Sequence, residues 1–174
     1  KRLRERVLES TSRFPITIVL GARQTGKTAL CRELASSPDH YFDLERSLDL
    51  VRLNDNALSI LEGLSGLVVI DEAQELPALF KSLRVLADRP GQPARFVVTG
   101  SVAPTLLESV SESLAGRAAV IEIGGFDLRE VGPGSWRELW LRGGHPPSFL
   151  TAETRLASEW REHYLSLLIG KDLR

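Results

Sequence analysis

Eight consecutive residues constrain this chain more than any others: Gly21-Ala22-Arg23-Gln24-Thr25-Gly26-Lys27-Thr28 fits G-x-x-x-x-G-K-[ST] without a mismatch. At average residue usage the pattern occurs by chance in roughly one chain of this length in a hundred, or fewer. The apolar run Ile16–Leu20 comes directly before it and a helical run directly after. Two glycines let backbone N–H groups curl around phosphate oxygens, and the following helix adds the partial positive charge of its N-terminus. Lys27 is expected to neutralise the β- and γ-phosphates, and the Thr28 hydroxyl to coordinate Mg²⁺. A bare glycine turn between strand and helix is the plainer reading of the same residues. No G-x-G-x-x-G segment is present, which disfavours a dinucleotide site.

The rest of the chain alternates short apolar runs with helical ones, the pattern of an α/β domain with a parallel sheet. Strands are expected at Ile16–Leu20, Tyr41–Leu44, Leu67–Ile70, Phe96–Thr99 and Ala118–Ile123. They lack polar alternation, as strands covered on both faces do. Helices are expected over Lys27–Ser36, Ala57–Gly63, Pro77–Asp88 and Pro104–Ser113. From Gly124 the texture changes, with helical runs Phe126–Val131, Ser135–Arg142 and Thr154–Ile169 split by Gly-Pro and Gly-Gly-His-Pro-Pro. The expected division is a core over 1–123 and a small helical lid segment over 124–174, the latter running into a truncated C-terminal region.

Leu67-Val68-Val69-Ile70-Asp71-Glu72 reads as a buried strand ending in two carboxylates. At the C-terminal edge of a parallel strand, Asp71 would sit beside the Mg²⁺ held by Thr28, and Glu72 would orient or deprotonate the attacking water. A helix-start acidic pair is the bland alternative. Gln74 and Glu75 either sense nucleotide or are simply solvated, and the usual surface bias favours solvation. Phe96-Val97-Val98-Thr99-Gly100-Ser101 ends another apolar strand in small polar residues. Both Thr99 and Ser101 are candidates to face the γ-phosphate; Ser101, past the strand's end, is preferred, and a simple turn is the alternative. Arg117, just before the fifth strand, either reaches a neighbouring subunit's γ-phosphate or makes an ordinary surface ion pair.

The strings GARQTGKT, LVVIDEAQ, RFVVTGS, SESLAGR and LRGGHP, in this order, resemble the AAA+-like ATP-binding proteins of bacteria and archaea, which usually carry a C-terminal domain of unknown function. The resemblance runs from about Phe14 to Arg174. It implies the additional-strand P-loop fold with sheet order 5-1-4-3-2 and a helical lid. It also implies Walker roles for Lys27, Thr28, Asp71 and Glu72, and a finger role for Arg117. The chain departs from the family in reading Lys171-Asp172-Leu173 where Arg-Asp-Leu is usual.

Composition narrows the function classes. Lys+Arg 22 against Asp+Glu 23 leaves a net charge of −1, which argues against a strongly basic nucleic-acid footprint. The longest apolar runs are far short of a membrane span. One cysteine cannot form an internal disulfide, and no signal peptide is visible, so a cytoplasmic protein is expected. The absence of Met and the abrupt end at Arg174 suggest a fragment of a longer protein. Cys31 reads as a small core residue, His40 and His163 lack partners at ligand spacing, and His145 sits in the lid turn. The pairs Trp136/Trp140 and Trp160/Tyr164, each four apart, read as helical packing or as a docking face for the missing domain. The expected function is an Mg²⁺-dependent ATPase domain that drives or switches an attached domain or partner. ATP over GTP rests on the resemblance and on the absence of an Asn-Lys-x-Asp segment. The rivals are a nucleotide switch with negligible turnover and, because DEAQ is similar to helicase sequences, a nucleic-acid motor.

Overall fold

The structure is a computed structural model that describes residues 2–91, 93–102 and 104–172. Lys1, and Leu173 and Arg174 at the other end, lie outside the described residues. The chain divides into two units, one ending at Ile123 and one beginning at Gly124.

In the first unit, β1 (Ile16–Gly21), β2 (Tyr41–Asp43), β3 (Gly66–Asp71), β4 (Ala94–Gly100) and β5 (Ala118–Ile123) form one sheet in the order β2-β3-β4-β1-β5. Every pairing is parallel. This is the order 5-1-4-3-2, read from the other edge. Strand side chains alternate faces, and the core splits accordingly. Ile16, Ile18, Leu20, Val68, Ile70, Phe96 and Val98 share one apolar cluster. Val19, Val69, Val97, Ile121 and Ile123 share the other, with Val7 and Cys31. Helices α3 (Ser47–Glu62), α4 (Leu79–Asp88) and α5 (Pro104–Leu114) cover the first face, and α1 (Arg2–Arg13) and α2 (Lys27–Arg32) the second. In α4, Leu79, Phe80, Leu83, Leu86 and Ala87 are buried, a helical spacing that puts one stripe on the sheet. Fully burying one such side chain stabilises by about 1.5–3 kcal/mol, and Phe80→Ala is the single change that most opens this layer, at a typical cost of about 3–5 kcal/mol.

Helices α1 and α8 (Pro146–Phe149) fall outside the helices expected from sequence, and two others, α2 and α3, depart furthest from their expected bounds. Helix α2 ends at Arg32 rather than Ser36. Ser36 instead donates its N–H to the Leu67 carbonyl at 3.0 Å, and its Oγ accepts the Leu67 N–H at 2.7 Å. Those two bonds pin the start of β3 and pull the chain out of the helix. Helix α3 begins ten residues before Ala57, with a kink at Asn56 (φ −140°). Its outward Leu48, Val51 and Leu58 are exposed and blur the apolar period, whereas Leu53, Ala57 and Leu61 form the buried stripe.

The second unit contains α6 (Leu128–Val131), α7 (Trp136–Arg142), α8 (Pro146–Phe149) and α9 (Thr154–Asp172). Asp127 and Glu130 cap α6 reciprocally. Gly125 and Gly144 let two backbone segments touch: the Phe126 N–H donates to the Gly144 carbonyl at 2.6 Å, and a Cβ on Gly125 would lie 2.4 Å from Gly144 backbone. Trp160 and Tyr164 stack at 5.0 Å with His145 tilted against both. Trp140, by contrast, is 85% exposed. No helix among the described residues is long and apolar enough to cross a membrane.

Candidate nucleotide site

Strand order places the site. The loops after β1, β3 and β4 all leave the same end of a parallel sheet, and β4 lies between the other two. The phosphate loop, the acidic pair and the Thr99–Ser101 segment are therefore neighbours.

The loop starts where β1 is packed too tightly for a side chain. A Cβ on Gly21 would meet the Ile123 carbonyl at 2.5 Å, because Gly21 is paired with Ile123 of β5. Ala22, Arg23, Gln24 and Thr25 then turn the chain. Thr25 Oγ1 donates to the Ala22 carbonyl at 2.8 Å, Gln24 takes a left-handed conformation (φ 60°), and Gly26 does the same at φ 92°. Lys27 opens α2 and is 4% exposed. Its Nζ donates to the carbonyls of Gly21 and Ala22, both at 2.9 Å. Burial pushes its ammonium below the ordinary lysine range, and the Glu72 and Asp71 carboxylates push back. Thr28 follows, half-buried, in the first turn of α2. Cys31, one turn further on, is fully buried; burial raises its thiol to about 12, which leaves it protonated and inert, as a core residue.

Asp71 is 1% exposed, and hydroxyl donors reach both of its carboxylate oxygens. Thr99 donates to Oδ1, and Tyr41 of β2 donates to Oδ2 at 2.6 Å. The next residue, Glu72, turns left-handed (φ 58°). Gln24 and Glu72 are the non-glycine residues with positive φ among the described residues, and both lie in this site; such strain persists where the surroundings over-determine it. The turn lets two adjacent carboxylates serve one end of the sheet. Glu72 N donates to Thr99 Oγ1 at 3.1 Å, and Glu72 Oε2 accepts from Gln74 Nε2 at 2.6 Å. Gln74 Oε1 in turn accepts the Ser101 N–H at 3.2 Å.

The structure thus brings Lys27, Asp71, Glu72 and the Thr99–Ser101 segment together. Ser101 enters through its backbone N–H, while the hydroxyl of that segment that touches the acidic pair belongs to Thr99. Sequence reasoning passed over Tyr41 and read Gln74 as solvated. Gln74 carries a weak signal in its position two residues after Glu72 at a turn; Tyr41 carries none, because only strand pairing brings it to Asp71. Arg117 stands elsewhere. It precedes Ala118, which pairs with Ile16 at the start of β1, whereas the loop leaves at Gly21 opposite Ile123. Five strand residues, about 16 Å, separate the two levels. Its guanidinium grips Asp88 in two bonds of 2.6 and 2.8 Å.

Comparison with known proteins bears on the family and the fold. Two uncharacterized proteins, one of Mycobacterium bovis and one of Mycobacterium tuberculosis, are each 46% identical over 169 residues, covering 97% of this chain. The chain spans only 38% of the length of those relatives. Among solved structures, the Walker-type ATPase PABY2304 of Pyrococcus abyssi superposes with a TM-score of 0.60 at 19% identity, over 99% of this chain and 73% of that one. A DNA replication initiation factor gives 0.50 at 15% identity, over 96% of this chain and 59% of that one. Both share the fold. The family described as "AAA domain" matches residues 13–132, from the strand that opens the sheet to past the fifth strand. With its phosphate loop, acidic strand end and five-stranded parallel sheet, the chain belongs to the AAA domain family of P-loop nucleoside triphosphatases and carries that family's nucleotide-binding architecture.

Proposed function

We propose that this domain binds Mg·ATP and hydrolyses it slowly to drive or switch an attached C-terminal domain or partner. The observation that carries the reading is the Asp71–Thr99–Glu72 network, in which Thr99 of β4, the strand beside the one that ends in the phosphate loop, holds the acidic end of β3.

The residues suit a hard divalent cation. The Thr28 hydroxyl and the Asp71 carboxylate are oxygen donors of the kind Mg²⁺ takes together with phosphate oxygens, and Asp71 is held in one orientation by Tyr41 and Thr99. Thr28 and Asp71 would hold the ion, which would offset the negative charge of the phosphates. The loop's N–H groups from Ala22 to Thr28 bind and orient the phosphates. Lys27 Nζ, now bonded to two neutral carbonyls, meets in phosphate a charged and stronger acceptor. Glu72 accepts the proton of the attacking water. Arg117 contributes charge to a neighbouring subunit's site, since its place at the opposite end of the strands from the phosphate loop keeps it from its own.

Calorimetry with ATP and turnover measurements on wild type and Glu72→Gln test the reading. Wild type should bind ATP more tightly with Mg²⁺. Glu72→Gln should bind equally well, with hydrolysis reduced by roughly 10²- to 10⁴-fold. Tight ATP binding with equal, negligible turnover in both proteins would instead establish a switch without catalysis. Turnover that depends on added DNA would establish a nucleic-acid motor.

A further inference from the structure

We propose that Gln74 is a positioning residue that fixes the Glu72 carboxylate and ties it to the loop leaving β4, so that the base is aligned only when that loop is in place. The proposal rests on the reading of Glu72 as the base. It uses a side chain that the phosphate loop, the acidic pair and Arg117 leave unexplained.

The orientation of the Gln74 amide follows from its partners. A carboxylate oxygen of Glu72 can only accept, and the backbone N–H of Ser101 can only donate. The amide therefore presents Nε2 to Glu72 at 2.6 Å and Oε1 to Ser101 at 3.2 Å; flipping it would put like against like on both sides. Two anchors fix the planar amide far better than one. Glu72 itself leaves the strand through a left-handed turn, so its backbone alone does not fix where the carboxylate points. The anchor bond engages Oε2, and a carboxylate has about four lone-pair sites, so capacity for a water proton remains.

The second anchor gives the device its direction. Ser101 follows Gly100, the last residue of β4, in the notch between the phosphate loop on β1 and Asp71 on β3. A Cβ on Gly100 would lie 3.0 Å from Gln74 Oε1, so the loop backbone is pressed against the amide. A shift of Ser101 toward or away from a γ-phosphate pulls the amide and, through it, the Glu72 carboxylate. The acid and the loop are thereby coupled by one side chain rather than by a Ser101 hydroxyl.

The test compares Gln74→Ala and Gln74→Glu with wild type and Glu72→Gln. In both Gln74 variants kcat should fall about tenfold or more while KM for Mg·ATP and ATP affinity stay within about twofold, since one aligning bond is lost and the phosphate contacts are not. Gln74→Glu keeps the side chain's length but sets a carboxylate against Glu72, so it should be no better than Gln74→Ala. A second readout needs no turnover. In the ¹H–¹⁵N spectrum of the protein without nucleotide, the Gln74 side-chain amide should show one proton shifted downfield, and Glu72→Ala should return it to the position of a solvated glutamine. Unchanged kcat in both Gln74 variants, or a wild-type amide already at the solvated position, overturns the proposal. Full turnover in Glu72→Gln overturns the underlying reading of the base instead, whatever Gln74 does.

Discussion

Thr99 donates its hydroxyl to Asp71 and, through the same oxygen, accepts the Glu72 N–H at 3.1 Å. One buried side chain of β4 thus holds both acidic residues of β3. The strand order makes this possible, because β4 and β3 are neighbours, with Val98 paired to Ile70, the residue before Asp71. A hydroxyl here acts at once as donor and acceptor, which no apolar residue of the same shape can do.

Thr99→Val keeps the volume and removes both bonds. Asp71, 1% exposed, then loses a donor in a place that water does not reach. We expect a loss of stability of about 1–3 kcal/mol by chemical denaturation and a drop in turnover well beyond that of Ser101→Ala. Thr99→Ser should restore most of both. Equal stability of Thr99→Val and wild type would remove the hydroxyl from the account.

The two loop glycines should fail for different reasons. Gly26→Ala meets no atom within 4 Å, so its cost is the left-handed backbone alone (φ 92°), about 1–2 kcal/mol. Gly21→Ala instead drives a methyl to 2.5 Å from the Ile123 carbonyl and must part β1 from β5. It should be the more destabilising of the two by thermal melting, and the reverse order would contradict this packing.

Lys27→Ala removes the ammonium that the loop carbonyls hold and that faces Asp71 and Glu72. ATP affinity should fall and turnover vanish. Calorimetry that finds wild-type affinity, together with wild-type turnover, would exclude Lys27 from phosphate binding.

Arg117 holds the Asp88 carboxylate below the usual range, chiefly through its hydrogen bonds. Arg117→Ala should let that carboxylate titrate upward, into the ordinary aspartate range, as read by carbon NMR. The sign for stability follows: a depressed carboxylate contributes above its unfolded pKa, and the contribution is lost as pH falls through the folded value. If Arg117 also serves a neighbour, it must leave Asp88 to do so, and Asp88→Asn should raise activity. Mixing Arg117→Ala with Lys27→Ala subunits should then recover turnover above either alone, because one supplies an intact pocket and the other an intact guanidinium. No recovery would leave the ion pair as the whole role of Arg117.

The second unit should lose stability in mild acid. Burial lowers the His145 imidazole below its ordinary value, and its Nε2 is buried without a hydrogen-bond partner. The neutral ring is favoured in the fold, so its contribution is full above the unfolded pKa of about 6.5 and is lost progressively as pH falls from there through the lower folded value. All three tryptophans of the chain lie beyond Gly124, so intrinsic fluorescence reports this unit. His145→Phe should flatten the dependence between neutral and mildly acidic pH.

The sequence by itself determined the phosphate loop, the five strands and the acidic strand end. Each of these depends on residues close together in the chain: glycines where the backbone must curl, apolar runs where both sheet faces are covered, carboxylates where a strand stops. Gly21, Lys27, Thr28, Asp71 and Glu72 are legible for that reason. Tertiary structure alone decided which groups meet across strands. Tyr41 reaches Asp71 from thirty residues away because β2 pairs with β3, and Thr99 rather than Ser101 presents its hydroxyl to Asp71 because a buried strand position points inward. Gln74 lies only two residues from Glu72, but its second bond, to Ser101, spans twenty-seven. Such contacts follow from strand order and register, which no local pattern of residues encodes, and they turn a phosphate-binding loop into a connected site.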